Sequence, residues 1–272
     1  MNLENYFISL FNNSHIGDDA AVIGDFVYSK DAFFEDVHFK KEWMSYYQIA
    51  QKAMLVNISD AIAMNAKPCY ALLSVAMPKS MDKKAMQELA EGFKDVAKCY
   101  NIEIIGGDTI SNTKLDITVT IISKSKKPLF RKGIRDTYLL AYTGELGRSA
   151  KDLKKLFRGG KINKKSKFVN IVLREAFMQR SARYLKAGMD ISDGLFSDLQ
   201  KILKVNNCGI SFDTKIKKDK GCSGEEYEML VAFDKRDIKA IQRRAKQSKT
   251  KLTVFGAASC NRYINRCKAH HF

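Results

Sequence analysis

The sequence has 272 residues, 45% of them hydrophobic, which is enough to bury one large core or two of ordinary size. No apolar run reaches the roughly 20 residues of a membrane-spanning helix, and the first residues lack the basic-then-apolar order of a signal peptide. We therefore expect a cytoplasmic protein that does not bind membranes. The net charge of +17 is compatible with nucleic-acid binding or with an anionic small substrate.

The first half of the chain is predicted to mix strands and helices. Apolar residues that alternate with polar ones, or that form short aromatic and β-branched runs, predict strands at 26–31, 69–77, 102–106 and 115–123. Apolar residues that recur with a helical period predict helices at 46–65 and 82–100. This order lacks the regular alternation of a doubly wound fold.

A lysine- and proline-containing link at 123–128 precedes the second half. Strands are predicted at 138–144, 228–233 and 251–255. Helices are predicted at 169–186, 197–206 and 236–248. The predicted fold is therefore α/β of the α+β type with two domains, residues 1–125 and 126–272.

The cysteines are scattered and include no C-x-x-C pair. We expect free thiols at all six rather than a disulfide framework or a zinc site. They are Cys69, Cys99, Cys208, Cys222, Cys260 and Cys267.

Acidic residues recur at the ends of apolar runs, next to small residues. The segments are GDD (17–19), SKD (29–31), NISD (57–60), IIGGDT (104–109) and MDISDGL (189–195). Each alone is compatible with a turn or a helix cap, but five together favour a shared function. Carboxylates without a matching Cys/His set suit Mg²⁺, which commonly binds proteins together with substrate phosphates. The pattern predicts a magnesium site that takes a phosphate-bearing ligand.

Several common motifs are missing from the sequence. No G-x-x-x-x-G-K-[ST] loop is present, and no G-x-G-x-x-G follows a predicted strand. The four histidines have no accompanying G-x-S-x-G nucleophile motif. A nucleotide would therefore be bound outside the two common phosphate-loop classes.

Six motifs resemble those of thiamine-monophosphate kinases in order and spacing. They are GDDAAV, SKDAFFEDVHF, NISDAIAMNAKP, IIGGDT, MDISDGLFSDL and SGEEYE, between about residues 15 and 233. That family belongs to the superfamily of aminoimidazole ribonucleotide synthetase and selenophosphate synthetase. The resemblance implies phosphoryl transfer from ATP to thiamine monophosphate, assisted by several Mg²⁺ ions. It also implies a homodimer in which the N-terminal sheets pair, with the active site in the cleft between two α/β domains.

The resemblance implies roles for individual residues. The implied magnesium ligands are Asp18, Ser29, Asp31, Asp60, Asp108, Asp190 and Asp193. The implied ATP-binding residues are Gly107, Asp108, Arg131 and Ser192. The implied binding residues for thiamine monophosphate are His38 and Glu225. No further catalytic group is expected, because an acceptor phosphate oxygen is already anionic near pH 7.

Neighbours on an extended segment point to opposite faces, so we expect Asp18 to bind metal and Asp19 to support it. Lys30 stands where the family usually has threonine. The backbone carbonyl at this position would still be available to bind a metal ion. Alternatively, the charge of the lysine would replace that of one cation. The loop around Arg131 lacks the usual glycine and proline. In that family an aromatic residue near the C-terminus stacks on the substrate. The candidates for this residue here are Tyr263, His270 and Phe272.

Two alternatives remain at this point. Another ATP-using enzyme of the same superfamily would share the metal motifs, although selenophosphate synthetase needs a reactive residue near the N-terminus and the first cysteine is Cys69. The second alternative is a nucleic-acid-binding protein that uses the basic segment 124–168. That segment has few aromatic residues to stack on bases, so it is the weaker of the two.

Overall fold

The computed structural model describes residues 3–11 and 13–268, and its strands form two five-stranded sheets. The strands are β1 (Ala21–Ile23), β2 (Phe26–Phe34), β3 (Lys67–Pro78), β4 (Glu103–Asn112), β5 (Asp116–Lys124), β6 (Leu139–Thr143), β7 (Leu185–Ile191), β8 (Gly209–Phe212), β9 (Glu228–Phe233) and β10 (Leu252–Ser259). The helices are α1 (Leu3–Ser9), α2 (Tyr46–Ala63), α3 (Lys83–Tyr100), α4 (Arg148–Phe157), α5 (Glu175–Ser181), α6 (Leu195–Val205), α7 (Lys218–Gly221) and α8 (Ile238–Gln247).

The first sheet has the strand order β1-β2-β5-β3-β4. Its neighbouring strands are antiparallel except for β3 and β4, which run parallel because α3 crosses between them. In β5 the buried residues Ile117, Val119 and Ile121 alternate with half-buried neighbours, as the sequence predicts. Asp31 and Ser29 of β2 pair with Val119 and Ile121, so both lie on the buried face of the sheet.

Helix α2 lies between the two sheets and contacts β2 and β5 of the first and β7 of the second. It begins at a capping box in which Ser45 and Gln48 each accept a hydrogen bond from the other's backbone N–H. Since it has neighbours on several sides, it buries polar residues as well as apolar ones, among them Lys52, Asn57 and Ser59. These buried polar groups point to a site along this helix.

The second sheet has the order β7-β9-β6-β10-β8, with antiparallel pairing throughout. Buried side chains from both halves, including Ile117 of β5 and Val231 of β9, belong to one hydrophobic cluster. The two sheets therefore pack through a shared core around α2. The sequence-predicted domain boundary near residue 125 falls just after β5 ends.

The mixed α/β fold is confirmed, but the prediction of one helix over 169–186 is wrong. The structure has only the short helix α5 there, and residues from Leu185 onward form β7. Strand β7 is buried almost throughout and shows no alternation. A short apolar run of this kind is compatible with a buried helix or a buried strand, so periodicity alone does not distinguish them.

The cysteine prediction is also wrong for one pair, because Cys222 and Cys267 form a disulfide. They lie 45 residues apart, and the fold brings the segment after β10 back to the loop after α7. No spacing rule reveals such a pairing. The other four cysteines are free.

Part of the basic segment 124–168 has an internal role. Lys167 forms ion pairs with the buried carboxylates Glu226 and Glu228, each at 2.9 Å. Tyr263 is not among the residues that line the cavity described below, and its hydroxyl donates to the carbonyl of Phe196 at 3.0 Å. His270 and Phe272 lie outside the described residues.

Within the described ranges, no helix is long and apolar enough to cross a bilayer.

Candidate active site

Three carboxylates from distant parts of the sequence meet at one end of α2. They are Asp19 in the loop before β1, Asp60 on α2 and Asp190 near the end of β7. One oxygen of each lies within 4.8 Å of the other two. Burial, together with the charges of neighbouring aspartates, raises the pKa of Asp60 and of Asp190 well above the usual range. We call these three residues the acidic cluster.

Asp31 extends the acidic cluster from the buried face of β2. Its side chain is hydrogen-bonded to that of Asp60, and burial raises its pKa to about 6. Ser29, two residues earlier on the same face, donates its hydroxyl hydrogen to the side-chain oxygen of Asn57 at 2.5 Å. Asp31 is therefore beside the cluster, whereas the hydroxyl of Ser29 is engaged with α2.

The structure places the carboxylates of Asp18 and Asp19 in different surroundings. Oδ1 of Asp18 accepts a hydrogen bond from the backbone N–H of Arg131 at 2.6 Å, which ties the loop before β1 to the link between the sheets. Asp19 is the member of the acidic cluster, and its side chain is only 2% exposed. The guanidinium of Arg131 binds the Asp19 carboxylate, with Nε to Oδ1 at 3.1 Å. Burial still raises the pKa of Asp19, although Arg131 opposes the shift.

The donor set of the cluster suits a hard cation. All of its ligand atoms are carboxylate oxygens, which Mg²⁺ prefers over nitrogen or sulfur. Several buried carboxylates this close together repel one another, and Arg131 is the one cation that the described residues place against Asp19. Divalent cations at Asp19, Asp31, Asp60 and Asp190 would compensate that repulsion.

A cavity of about 490 Å³ opens beside the acidic cluster. Asp31, Asp60 and Asp190 line one end of it, and His38 and Glu225 line another part. The remaining wall includes aromatic side chains. A ligand that carries a phosphate at one end and an aromatic or cationic group at the other would meet both kinds of wall.

Comparisons with known proteins agree with this geometry. The AIR synthase related protein, N-terminal domain family matches residues 17–124. A thiamine-monophosphate kinase of Buchnera aphidicola subsp. Schizaphis graminum is 32% identical, with 89% of this chain and 83% of the relative covered. This chain belongs to the thiamine-monophosphate kinase family.

Solved structures of the family share the fold. The structure described as AaThiL complexed with AMPPCP and TMP has a TM-score of 0.86 at 20% identity, and the match covers 99% of this chain and 96% of that one. The thiamine monophosphate kinase of Aquifex aeolicus has a TM-score of 0.83 at 20% identity, with 94% and 92% covered. The two-sheet architecture is therefore that of thiamine-monophosphate kinases.

Among the residues predicted as metal ligands, Asp193 lies just beyond β7 and is paired with a lysine. Its Oδ2 accepts a hydrogen bond from Lys201 Nζ at 2.6 Å, and the same ammonium donates to Oδ1 of Asp198 at 2.9 Å. Asp198 is fully buried, and burial raises its pKa to about 7. Asp193 is therefore not part of the acidic cluster. Sequence reasoning missed both Lys201 and Asp198, which look like ordinary helix residues.

The GGDT motif lies on β4, away from the acidic cluster. Asp108 shares a row of the sheet with Ser74 and Thr118, on the face opposite to α2, whereas Asp31 is on the α2 face. Three strand spacings separate β2 from β4, about 14 Å. Within one chain, Asp108 thus does not join Asp60 and Asp190.

Gly107, beside Asp108, adopts a positive φ of 150°. A Cβ at this position would clash with the carbonyl oxygen of Leu73 on the parallel neighbour β3. Glycine is therefore required by this close approach of the two strands. Lys30 is also on the sheet face opposite to α2, where its Nζ donates to Oγ1 of Thr118 at 3.2 Å. That position is not beside the acidic cluster.

The two positions that the family resemblance assigns to the substrate both line the cavity. Nδ1 of His38 accepts a hydrogen bond from the N–H of Phe34 at 3.0 Å, and its ring stacks on Phe33. Glu225 lies in the loop before β9, and its N–H donates to the carbonyl of Ser192 at 2.6 Å. Ser192 lines the same cavity, so three predicted binding residues line the cavity together with Asp60 and Asp190.

Proposed function

We propose that this chain transfers the γ-phosphoryl group of ATP to thiamine monophosphate, giving thiamine diphosphate and ADP. The observation that carries the proposal is the cavity in which Asp31, Asp60 and Asp190 lie at one end and His38 and Glu225 elsewhere on the wall. The named activity of the relatives supports the choice of acceptor. An acceptor phosphate placed at the acidic end would leave its thiamine portion beside His38 and Glu225.

We further propose that several Mg²⁺ ions bind at the acidic end. The supporting observation is that the carboxylates of Asp19, Asp31, Asp60 and Asp190 are buried or half-buried, and their raised pKa values follow first from this burial. When bound, Mg²⁺ neutralises phosphate charge and supplies the electrostatic stabilisation on which phosphoryl transfer depends. The chain's own residues hold the ions, and we do not assign a ligand role to Ser29 or Asp193.

The remaining residues orient the two substrates. Arg131 lies against Asp19, and we assign its guanidinium to the ATP phosphates, which it reaches by exchanging its carboxylate partner. Such residues lower the barrier mainly by placing an acceptor oxygen in line with the γ-phosphorus. The acceptor oxygen is anionic near neutral pH, so no buried base is needed to remove a proton.

We propose a homodimer in which the exposed face of the first sheet meets a second copy. Strand β4 exposes Ile105 and Ile110, which are 49% and 57% accessible, and Leu72 of β3 lies on the same exposed face. A second copy that covers this face would bury apolar side chains together with Asp108 and Gly107. In such a dimer, Asp108 acts at a site that its partner shares. Because ATP is the donor, we place the reaction in the cytoplasm.

The test is product formation with a panel of acceptors. Purified protein with ATP and Mg²⁺ is incubated with thiamine monophosphate, unphosphorylated thiamine or a simple alkyl phosphate, and thiamine diphosphate is quantified by chromatography. Of these acceptors, we expect only thiamine monophosphate to be converted. Turnover of a different acceptor, or none by folded protein, would contradict the proposal.

A further inference from the structure

Lys52 is a buried cationic residue that has no role in the reaction proposed above. It lies on α2, and its side chain has no solvent exposure. Its Nζ lies 2.7 Å from Oε2 of Glu225, 173 residues further along the chain. The ammonium also lies 3.6 Å from the ring centre of Phe168 and 5.8 Å from that of Phe33. One carboxylate and two aromatic rings therefore surround it.

Burying an ammonium group is costly unless other groups compensate its charge. Burial lowers the pKa of Lys52, and the charge of Glu225 opposes that shift. The faces of Phe168 and Phe33 add a favourable cation–π interaction. Because an apolar residue would fit this helix position at lower cost, the placement of Lys52 indicates a role for its contact with Glu225.

The backbone around Glu225 is fixed independently of Lys52. Glu225 itself adopts a positive φ of 55°. Its carbonyl accepts a hydrogen bond from Ser149 Oγ at 2.8 Å, and the next side chain, the buried Glu226, accepts from Gly147 N at 2.7 Å and from Ser223 Oγ at 2.5 Å. The main chain of the loop therefore holds Glu225 at the cavity in a strained conformation.

The Glu225 side chain, in contrast, has Lys52 as its hydrogen-bond partner among the described residues. It is 25% exposed and lines the cavity. With Oε2 bound by Lys52, Oε1 remains to accept hydrogen bonds from a ligand. Lys52 thus fixes the direction of the carboxylate and compensates part of its charge.

We propose that Lys52 is a positioning residue that holds Glu225 as an oriented acceptor for the N–H donors of the acceptor substrate's organic end. This inference rests on the proposed function, in which that end is the aminopyrimidine and thiazolium of thiamine. A free carboxylate would attract any cation. A carboxylate already paired with an ammonium selects instead for a correctly placed donor. The Lys52–Glu225 pair therefore affects the binding of the acceptor substrate and does not affect the binding of ATP.

The test is a set of steady-state KM and kcat measurements for both substrates. The variants are Lys52→Met, Glu225→Gln and the double variant, and Arg174→Met controls for loss of another cation that pairs with a buried carboxylate, that of Glu228. We expect Lys52→Met to raise the KM for thiamine monophosphate about tenfold or more, with kcat and the KM for ATP changed less than threefold. In the Glu225→Gln background, the same change should have no further effect.

Three outcomes would overturn the inference: an unchanged acceptor KM in Lys52→Met, an equal rise in Arg174→Met, or a double variant much worse than Glu225→Gln. If Lys52→Met does not fold, the comparison of Glu225→Gln with the double variant is sufficient to test the inference. The double variant leaves no unpaired buried charge. Wild-type protein that fails to turn over thiamine monophosphate would instead contradict the proposed function.

Discussion

The hydroxyl of Ser59 donates a 2.7 Å hydrogen bond to Oδ2 of Asp190. Both groups are buried, and the bond joins α2 of the first half to β7 of the second. It is one of several polar links between the halves, which also share an apolar core. The bond also stabilises the ionised form of Asp190, which burial opposes.

Ser59→Ala should weaken Mg²⁺ binding, because the Asp190 carboxylate would lose a donor that favours its charged form. We expect the midpoint of Mg²⁺-induced thermal stabilisation to shift to severalfold higher Mg²⁺. Ser123→Ala is the matched control, since that buried hydroxyl has no partner in the described structure. An identical response in both variants would contradict a role for the Ser59 hydroxyl.

Asp60→Asn should make the metal-free protein more stable at high pH. Burial raises the pKa of Asp60 in the folded state, so the folded chain binds more protons than the unfolded chain between the two pKa values. The wild-type free energy of unfolding therefore falls as pH rises above about 4, and the amide variant escapes this loss.

We expect urea unfolding in EDTA to give a more stable variant at pH 8 and a smaller difference at pH 4.5. Saturating Mg²⁺ should reverse the order at pH 8, because the variant lacks one ligand. Asp25→Asn, at an exposed aspartate between β1 and β2, should show neither effect. A variant that is less stable than wild type at pH 8 in EDTA would contradict the assignment of Asp60.

Arg131→Met should raise the KM for ATP by about 10- to 100-fold, the usual effect of losing hydrogen bonds to a charged group. Without nucleotide, the same variant should bind Mg²⁺ more tightly, because Arg131 competes with cations for Asp19. Isothermal titration with Mg²⁺ and steady-state kinetics measure the two effects. Arg236→Met, in an exposed ion pair, is the control. Weaker Mg²⁺ binding in Arg131→Met would exclude the competition.

Cys267→Ser should lower the free energy of unfolding by about 3–4 kcal/mol, because the disulfide closes a long loop of the unfolded chain. Urea unfolding without reductant measures the change. Cys260→Ser, at a free and exposed cysteine of the same segment, should change it little. Six reactive thiols in the denatured wild-type protein, instead of four, would show that the disulfide does not form.

A mixture of Asp60→Asn and Asp108→Asn chains should regain activity that neither has alone. If Asp108 acts at a site shared with the partner, a mixed dimer contains one intact site. Random pairing in an equal mixture would then restore about one quarter of the wild-type sites. The chains are mixed, refolded together and assayed. No gain above the separate variants would contradict a shared site.

The sequence was informative where a residue's chemistry and spacing limit its neighbours. The alternation in β5 and the helical period of α2 predicted both elements, and Asp60 and Asp190 were recognised as acids beside small residues. Whether Asp18 or Asp19 lies with Asp60 and Asp190 depends on the direction of one short loop, which Arg131 contacts from the link between the sheets. Local alternation has no information about such a long-range contact.

Lys52 and Ser59 were missed for a related reason. Both are on α2, where a lysine and a serine look like ordinary surface residues, and only packing against the second half makes them internal. No strand is predicted over β7, because a fully buried strand shows no alternation. The missed features all depend on contacts between the two halves of the chain.

Phosphorus NMR of a reaction with ATP, Mg²⁺ and thiamine monophosphate measures the proposed transfer most directly. We expect the γ-phosphate signal of ATP to be replaced by equal amounts of ADP and thiamine diphosphate, with Asp190→Asn at least a hundredfold slower. ADP and inorganic phosphate formed while thiamine monophosphate stays unchanged would contradict transfer to this acceptor.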